Sequence, residues 1–400
     1  MRIAILTSGI LPIPAIKGGA VENLTDFYLE YNHVHKLHDI TVFSTSFPGT
    51  ERHPSLQSDV NHYEYIEVNS LKAKVMKRLY KWTHRKGYYY YTIEYFIDQV
   101  IPKLQNGRYD IILIENRPGY ILKLKGATNA KIIYHLHNAK LDTTVPQYQQ
   151  IYDAASLIIF VSKFVAQGIK TINSQDNKSV VIFNGINLSF FRPNLHSTIS
   201  RSAFHFKDND FVIAYNGKIN PEKGIMELVK AMKLIKDHPQ IKLLVMGSTF
   251  YGNNTYNDHP YAHKLLNEAR PVRNRIFFTS FIPYQDMPSY LSLCDISIVP
   301  SVWDEPFGLS IVEAMAMGLP IITTRRGGIP EVVTKENAIL LETDEHFVEN
   351  LATSILDLYN NPEKCKQMSA ASLERSKLFD KETYAKNFFA ALESINPTDK

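Results

Sequence analysis

The chain has 400 residues, of which 44% are hydrophobic and 21% charged, and a formal net charge of +4. That length exceeds one hydrophobic core and predicts two domains of roughly 200 residues, and the apolar content excludes a disordered chain. The mild positive charge is too small to indicate nucleic acid. Cys294 and Cys365 show neither metal-ligand spacing nor a disulfide framework and suit a reducing cytoplasm, and no run of about eighteen apolar residues is available to cross a bilayer.

From the N-terminus, the apolar stretch Met1 to Ile16 is broken by Thr7, Ser8, Gly9, Pro12 and Pro14, with no small-residue cleavage site after it. It reads as a first strand, Ile3 to Leu6, and its loop. Lys17-Gly18-Gly19-Ala20 then leads into a helix that begins with Val21 and Glu22. Glycines there let the backbone approach a bound group, and a helix start favours a phosphate. Further short apolar runs at Ile40–Ser44, Ile111–Ile114, Lys131–His135, Leu157–Val161 and Val180–Phe183 are typical of parallel strands covered on both faces.

Two other features of this first part stand out. Between Leu71 and Lys86 there are seven Lys or Arg and no acid, with Tyr80 and Trp82 interleaved and Tyr88 to Tyr91 following. This stretch reads either as a surface for anionic lipid headgroups or as a solvated helix face whose aromatics pack inward. In His135-Leu136-His137-Asn138, alternation puts both imidazoles on one side, with His137 nearer the carboxyl end of its strand and His135 in a packing role.

Phe190 to Ser202 is the linker candidate, after which the strand rhythm restarts at Phe211–Tyr215, Lys242–Met246, Arg275–Phe278, Ile296–Val299 and Ile321–Thr323. Asp208-Asn209-Asp210 has the form of a metal-holding D-x-D string but precedes its strand, at the wrong end of a sheet. Tyr215-Asn216-Gly217-Lys218 and Pro221-Glu222-Lys223-Gly224 set two lysines five apart across a turn, where both can act as point charges on one diphosphate. Glu305 precedes Pro306 and Gly308 on a loop, Leu309 to Met317 are good helix formers, and Gly318 and Pro320 supply a stop, so Glu313 falls inside the helix. A loop leading straight into a helix presents backbone N–H groups to a phosphate. One carboxylate can then face a sugar beside that phosphate, and the other a ribose. Gly318 to Val333 continues as strand, Gly-Gly loop and helix, with Pro330 at a first helical position, and Phe379 to Ile395 reads as an amphipathic helix.

The block from Glu305 to Val333 resembles the E-x7-E region of nucleotide-sugar-dependent glycosyltransferases of family 4, which have the GT-B fold and include bacterial polysaccharide and spore-coat enzymes. The resemblance implies an α/β protein of two Rossmann-like, doubly wound parallel-sheet domains facing a central cleft. It implies an acceptor-side domain over residues 1–192, to which a helix over 379–400 crosses back, and a nucleotide-sugar-binding domain over 203–378. The activity implied is retaining transfer of a sugar from a nucleoside diphosphate sugar, UDP being the expected nucleotide, to a hydroxyl of a glycan or lipid-linked acceptor in cell-surface polysaccharide biosynthesis. No cofactor and no metal are expected, and the place expected is the cytoplasm or the inner face of the membrane.

Carried onto this chain, the family pattern gives Glu305 the donor sugar's hydroxyls and Glu313 the ribose. Lys218 and Lys223 neutralise the diphosphate, Gly217, Phe307, Gly308 and Leu309 complete the donor site, and Gly18 and Gly19 lie beside the diphosphate and the acceptor. His137 touches the donor sugar, Arg117 is the acceptor-side candidate, and the backbone around Ser280 to Pro283 is the candidate for base recognition. Lys218 stands where the family usually has arginine, which keeps the charge but not a bidentate fork. The alternatives are a GT-B epimerase, a glycan phosphorylase, which would need a lysine placed for pyridoxal phosphate that the sequence does not offer, or an inactive scaffold.

Overall fold

The structure is a computed structural model that describes the chain except residues 84–90, 125, 139, 194–196, 198, 248–259, 280–281 and 396–400, and the side chains of 91–93. It divides into two compact units, Met1–Gly185 with Lys381–Lys400, and Ile186–Asp380.

The first unit contains a seven-stranded parallel sheet of β1 (Arg2–Leu6), β2 (Asp39–Thr45), β3 (Asn61–Ile66), β4 (Ile111–Glu115), β5 (Lys131–Leu136), β6 (Ala155–Phe160) and β7 (Ser179–Val181), in the order β3-β2-β1-β4-β5-β6-β7. The second contains a six-stranded parallel sheet of β8 (Phe211–Asn216), β9 (Ile241–Met246), β10 (Ile276–Phe278), β11 (Ile296–Val299), β12 (Ile321–Thr324) and β13 (Ala338–Leu341), in the order β10-β9-β8-β11-β12-β13. Central strands such as β1 and β4 are apolar and buried because helices cover both faces of a parallel sheet. Each buried Ile, Leu or Val there contributes roughly 1.5–3 kcal/mol.

Both sheets reverse their winding at one place, between β1 and β4 in the first and between β8 and β11 in the second. Loops at the carboxyl ends of strands at such a switch point diverge and leave room for a ligand. β3 and β13 are the strands that the apolar-run reading does not contain. Both lie at sheet edges, where β3 alternates polar residues (NHYEYI) and β13 is only partly buried.

In the first unit, α1 (Ala20–His35) packs against the helix Lys381–Ser394, with the Tyr28 and Phe388 rings stacked 4.1 Å apart. The expected helix over 379–395 therefore spans Lys381–Ser394 and belongs to the first unit, and the expected linker 190–202 lies within the second. α2 (Leu71–Thr83) carries the basic stretch, of which 84–90 lie outside the described residues. Its two aromatics part company. Tyr80 packs on the first core with its hydroxyl on Asp98, because that position shares a helix face with Ala73 and Met76, whereas Trp82 faces solvent. Cys294 is buried and Cys365 half-buried, both as free thiols. Among the described residues no helix is long and apolar enough to cross a membrane.

Candidate functional site

In the second unit, the chain leaves β8 through Gly217, whose amide donates to Met246 at 3.1 Å, and turns at Asn220, whose side chain accepts from the Lys223 amide at 3.1 Å. Gly224 follows with φ +69, and a Cβ on it would lie 1.7 Å from the Pro300 carbonyl oxygen, so the turn closes directly on the end of β11. That closeness brings Lys223 Nζ to 2.5 Å from Glu305 Oε1, while Ser301 Oγ donates to the same oxygen at 2.7 Å. Glu305 is buried, at 6% exposure, so the paired ammonium and the hydroxyl are what make an ionised carboxylate tolerable there.

The backbone of Glu305 is gripped from behind. Gly328 N donates to the Glu305 carbonyl at 2.7 Å, and Gly327, with φ +58, comes so near that a Cβ would lie 2.2 Å from that oxygen. The Gly-Gly pair is thus the seat of the first glutamate. Three residues on, Gly308 (φ +104) caps the helix Leu309–Ala316, and Glu313 within it accepts from Asn216 Nδ2 at 2.8 Å. Burial pushes the Glu313 carboxyl up to about 8, partly offset by the Asn216 hydrogen bond. One buried carboxylate bound to an ammonium and a second that is reluctant to ionise therefore flank a helix N-terminus, whose amides attract negative charge.

In the first unit, Gly18 (φ +70) and Gly19 (φ +114) lie in the loop between β1 and α1, where Gly19 caps the helix. Glu22 in the first turn is buried. Burial pushes its carboxyl up to about 7, its own backbone N–H pulls the other way, and Glu115 adds to the rise. Glu115 ends β4 and is the centre of a buried network. Its Oε1 accepts from the Tyr28 hydroxyl at 2.7 Å and from His135 Nδ1 at 3.1 Å, and its Oε2 accepts from His137 Nε2 at 2.8 Å. Asn116, at φ +58, donates its amide to the His135 carbonyl at 2.8 Å, and its side-chain oxygen accepts from the amides of His137 and Asn138 at 3.2 Å each. These bonds fix the segment that follows β5.

Burial opposes ionisation of Glu115, but the two imidazoles together outweigh it and hold the carboxyl well below the usual carboxylate range. Burial, with His135 beside it, lowers His137 to about 4 against the pull of Glu115. An ionised carboxylate only accepts, so His135 carries its proton on Nδ1 and His137 on Nε2. His137 Nδ1, left with a lone pair, is buried and has no hydrogen-bond partner among the described residues. The ligand atoms of Glu115, His135 and His137 also lie within 4.8 Å of one another, a spacing a divalent cation could use. Each ring already spends one nitrogen on Glu115, at 3.1 Å and 2.8 Å, so the three side chains form one hydrogen-bonded network.

Two family models match the chain, one described as Glycosyltransferase Family 4 over residues 31–190 and one as Glycosyl transferases group 1 over residues 197–375. The putative glycosyltransferase YtcC of Bacillus subtilis is 28% identical over 90% of this chain and 81% of its own length, and spore coat protein SA of the same organism is 25% identical over 98% and 99%. The chain belongs to the group 1, family 4 glycosyltransferases. Its fold is GT-B. Solved structures with that architecture include Anabaena HepE in complex with UDP-glucose, at a TM-score of 0.73 and 22% identity over 98% of this chain and 100% of that one, and a Rickettsia africae glycosyltransferase at 0.76 and 18% over 100% and 99%.

Within this glycosyltransferase the structure brings Lys223, Glu305 and the start of the helix Leu309–Ala316 together, and separately Glu115, His135 and His137. Lys218 is exposed on the loop after β8, its carbonyl accepting the Tyr215 hydroxyl at 2.8 Å. Leu309 is half-buried as the first residue of its helix, while Phe307 is buried with its ring edge-on to Phe379 at 5.7 Å, so only its backbone is available to a donor. Arg117 is half-buried at the end of β4, next to the Glu115 network. Asp210 of the D-x-D string accepts from the Lys207 amide at 2.9 Å in a turn before β8, which is a structural use of that carboxylate. Of the expected base-recognition segment, 280 and 281 lie outside the described residues.

Sequence reasoning missed three supports. Ser301 and Gly327 hold Glu305, and Glu115 organises both histidines. Gly327 was visible as half of a Gly-Gly pair, but its target lies across β12, and nothing local to Glu115 signals partners twenty residues away.

Proposed function

We propose that this glycosyltransferase moves a sugar from UDP-sugar to a hydroxyl of a glycan or lipid-linked saccharide with retention of configuration, without a metal or other cofactor, at the inner face of the membrane in cell-surface polysaccharide biosynthesis. The reading rests chiefly on one observation, the Lys223–Glu305 pair at 2.5 Å beside the start of the Leu309–Ala316 helix. When a nucleoside diphosphate sugar enters, the diphosphate takes the place next to Lys223, Lys218 and the helix amides, and Glu305 turns to hydroxyls of the sugar. Glu313 receives the ribose hydroxyls. As the bond from the anomeric carbon to the phosphate oxygen breaks, its electron pair passes to the diphosphate, and these cations and dipoles stabilise the charge that develops. The acceptor oxygen bonds to the anomeric carbon on the face the diphosphate leaves, and its proton goes to the departing phosphate. His137 Nδ1 accepts a hydrogen bond from a hydroxyl of the donor sugar, with Gly18 and Gly19 beside the diphosphate and Arg117 on the acceptor side.

HepE, a neighbour in fold, is described in complex with UDP and with UDP-glucose, which makes UDP the first nucleotide to try. Calorimetry with UDP, GDP and ADP tests the donor class, and UDP is expected to bind most tightly. Free UDP should then form from UDP-sugar only when a saccharide acceptor is added, and a chelator should leave the rate unchanged. UDP release independent of acceptor, or loss of the rate with chelator, would count against the reading.

A further inference from the structure

Among the described residues, one face of α2 stays exposed. Ala73 is buried, Met76 and Tyr80 pack on the first core, and Lys77 Nζ donates to the Val68 carbonyl at 2.7 Å, so this side is spent on the protein. At about 100° per residue, the opposite side gathers Leu71, Val75, Leu79 and Trp82 within an arc of about 80°. They are 82%, 57%, 48% and 72% exposed. Lys72 borders this apolar stripe on one side and Arg78 and Lys74 on the other, all exposed, and the helix carries no acidic residue.

An apolar stripe in water marks an interaction surface. The cations choose between the possible occupants. The core of a protein–protein interface is depleted in lysine, whereas a helix lying in a lipid headgroup layer wants apolar and tryptophan side chains on one face and amines at its borders, level with the phosphates.

We propose that α2 docks this enzyme on an anionic bilayer surface, with Leu71, Val75, Leu79 and Trp82 entering the headgroup–acyl boundary and Lys72, Lys74 and Arg78 pairing with lipid phosphates. This deepens the proposed function by giving the place where a lipid-linked acceptor is met. It rests on that reading for its purpose, not for its physical basis.

The test is co-sedimentation of the full chain with vesicles of phosphatidylcholine alone or mixed with phosphatidylglycerol. Binding is expected to the mixed vesicles and not to the neutral ones, and to weaken with added salt. Lys74→Gln with Arg78→Gln should lower partitioning about twenty-five-fold, since each cation near the surface contributes roughly a factor of five. Leu79→Ser with Trp82→Ser should abolish it, while UDP affinity stays at the parent value. Equal sedimentation with neutral vesicles, or binding indifferent to both variants, would overturn the proposal. So would a dimer in solution that Trp82→Ser dissolves with no vesicle binding, which would assign the stripe to a second copy of the chain. If the chain binds the vesicles but not UDP, the donor reading fails and this one stands.

Discussion

Glu115 Oε2 lies 2.8 Å from His137 Nε2, and this one hydrogen bond decides what the histidine can do. With its proton committed to Glu115, His137 meets a ligand as an acceptor and not as an acid. Glu115→Gln should remove that preference, because an amide can donate to one ring as readily as accept from it. The ¹⁵N shifts of His137 are expected to show the Nε2–H form in the parent and a mixture in the variant, with donor kcat/KM about 10–100-fold lower, the usual range for a residue that orients another. An Nδ1–H ring in the parent would refute the assignment.

The same histidine ties stability to acid. Its folded value of about 4 lies below the ordinary 6.5, so the unfolded chain takes up the proton first as the pH falls. Stability is therefore intact above about 6.5 and is lost progressively down to about 4. Glu22 and Asp26, each raised by burial to about 7, work in the opposite direction. Comparing His137→Gln with the parent cancels them. Between pH 7 and pH 5, urea unfolding of the variant should lose on the order of 2 kcal/mol less than that of the parent.

Lys223→Ala takes the ammonium from both the diphosphate and Glu305. Loss of one such donor costs about 3–4 kcal/mol in the transition state, which is two to three orders of magnitude in turnover at saturating donor. A loss confined to KM would place Lys223 in ground-state binding alone.

Glu313 should report ribose binding through its proton. The carboxyl holds its proton up to about pH 8, and ribose hydroxyls donate best to the ionised form, so UDP binding at pH 7 should release close to one proton. Calorimetry in buffers of different ionisation enthalpy measures that release directly. Glu313→Gln should eliminate it, and a buffer-independent enthalpy in the parent would mean that the ribose does not engage this carboxylate.

Gly327→Ala and Gly217→Ala make a matched pair. At Gly327 the new Cβ would lie 2.2 Å from the Glu305 carbonyl with φ at +58, whereas at Gly217 it meets nothing nearer than 3.5 Å. The first should cost about 1–3 kcal/mol and lower Tm by several degrees, with a raised donor KM as Glu305 shifts. The second should change Tm little. Equal Tm values would remove Gly327 as the seat of Glu305.

What the sequence made legible follows from how each element is stabilised. Strands such as Ile111–Glu115 and Ile296–Val299 are buried on both faces and announce themselves as apolar runs. Edge strand Asn61–Ile66 needs no such run and stayed hidden. Glu305 and Glu313 are readable because a loop and a helix fix them locally, eight positions apart. Glu115 carries no signal of its own in the sequence, and His135 reads only as packing, because their bond spans β4 and β5 and belongs to the sheet, not to any short stretch of chain. Tyr80 and Trp82 look alike in a list of aromatics, and only the helix phase tells the buried one from the exposed one.

Tyr28 stacks on Phe388 and donates its hydroxyl to Glu115, so a residue near the start of the chain is held by one made after the whole second unit. During synthesis the ribosome must therefore complete residues 186–380 before the first unit can bury α1 under its last partner. Until then the Glu115 network stands half-walled. Any nascent chain stalled in the second unit would carry an opening above Tyr28, a natural foothold for chaperones or proteases that inspect unfinished proteins.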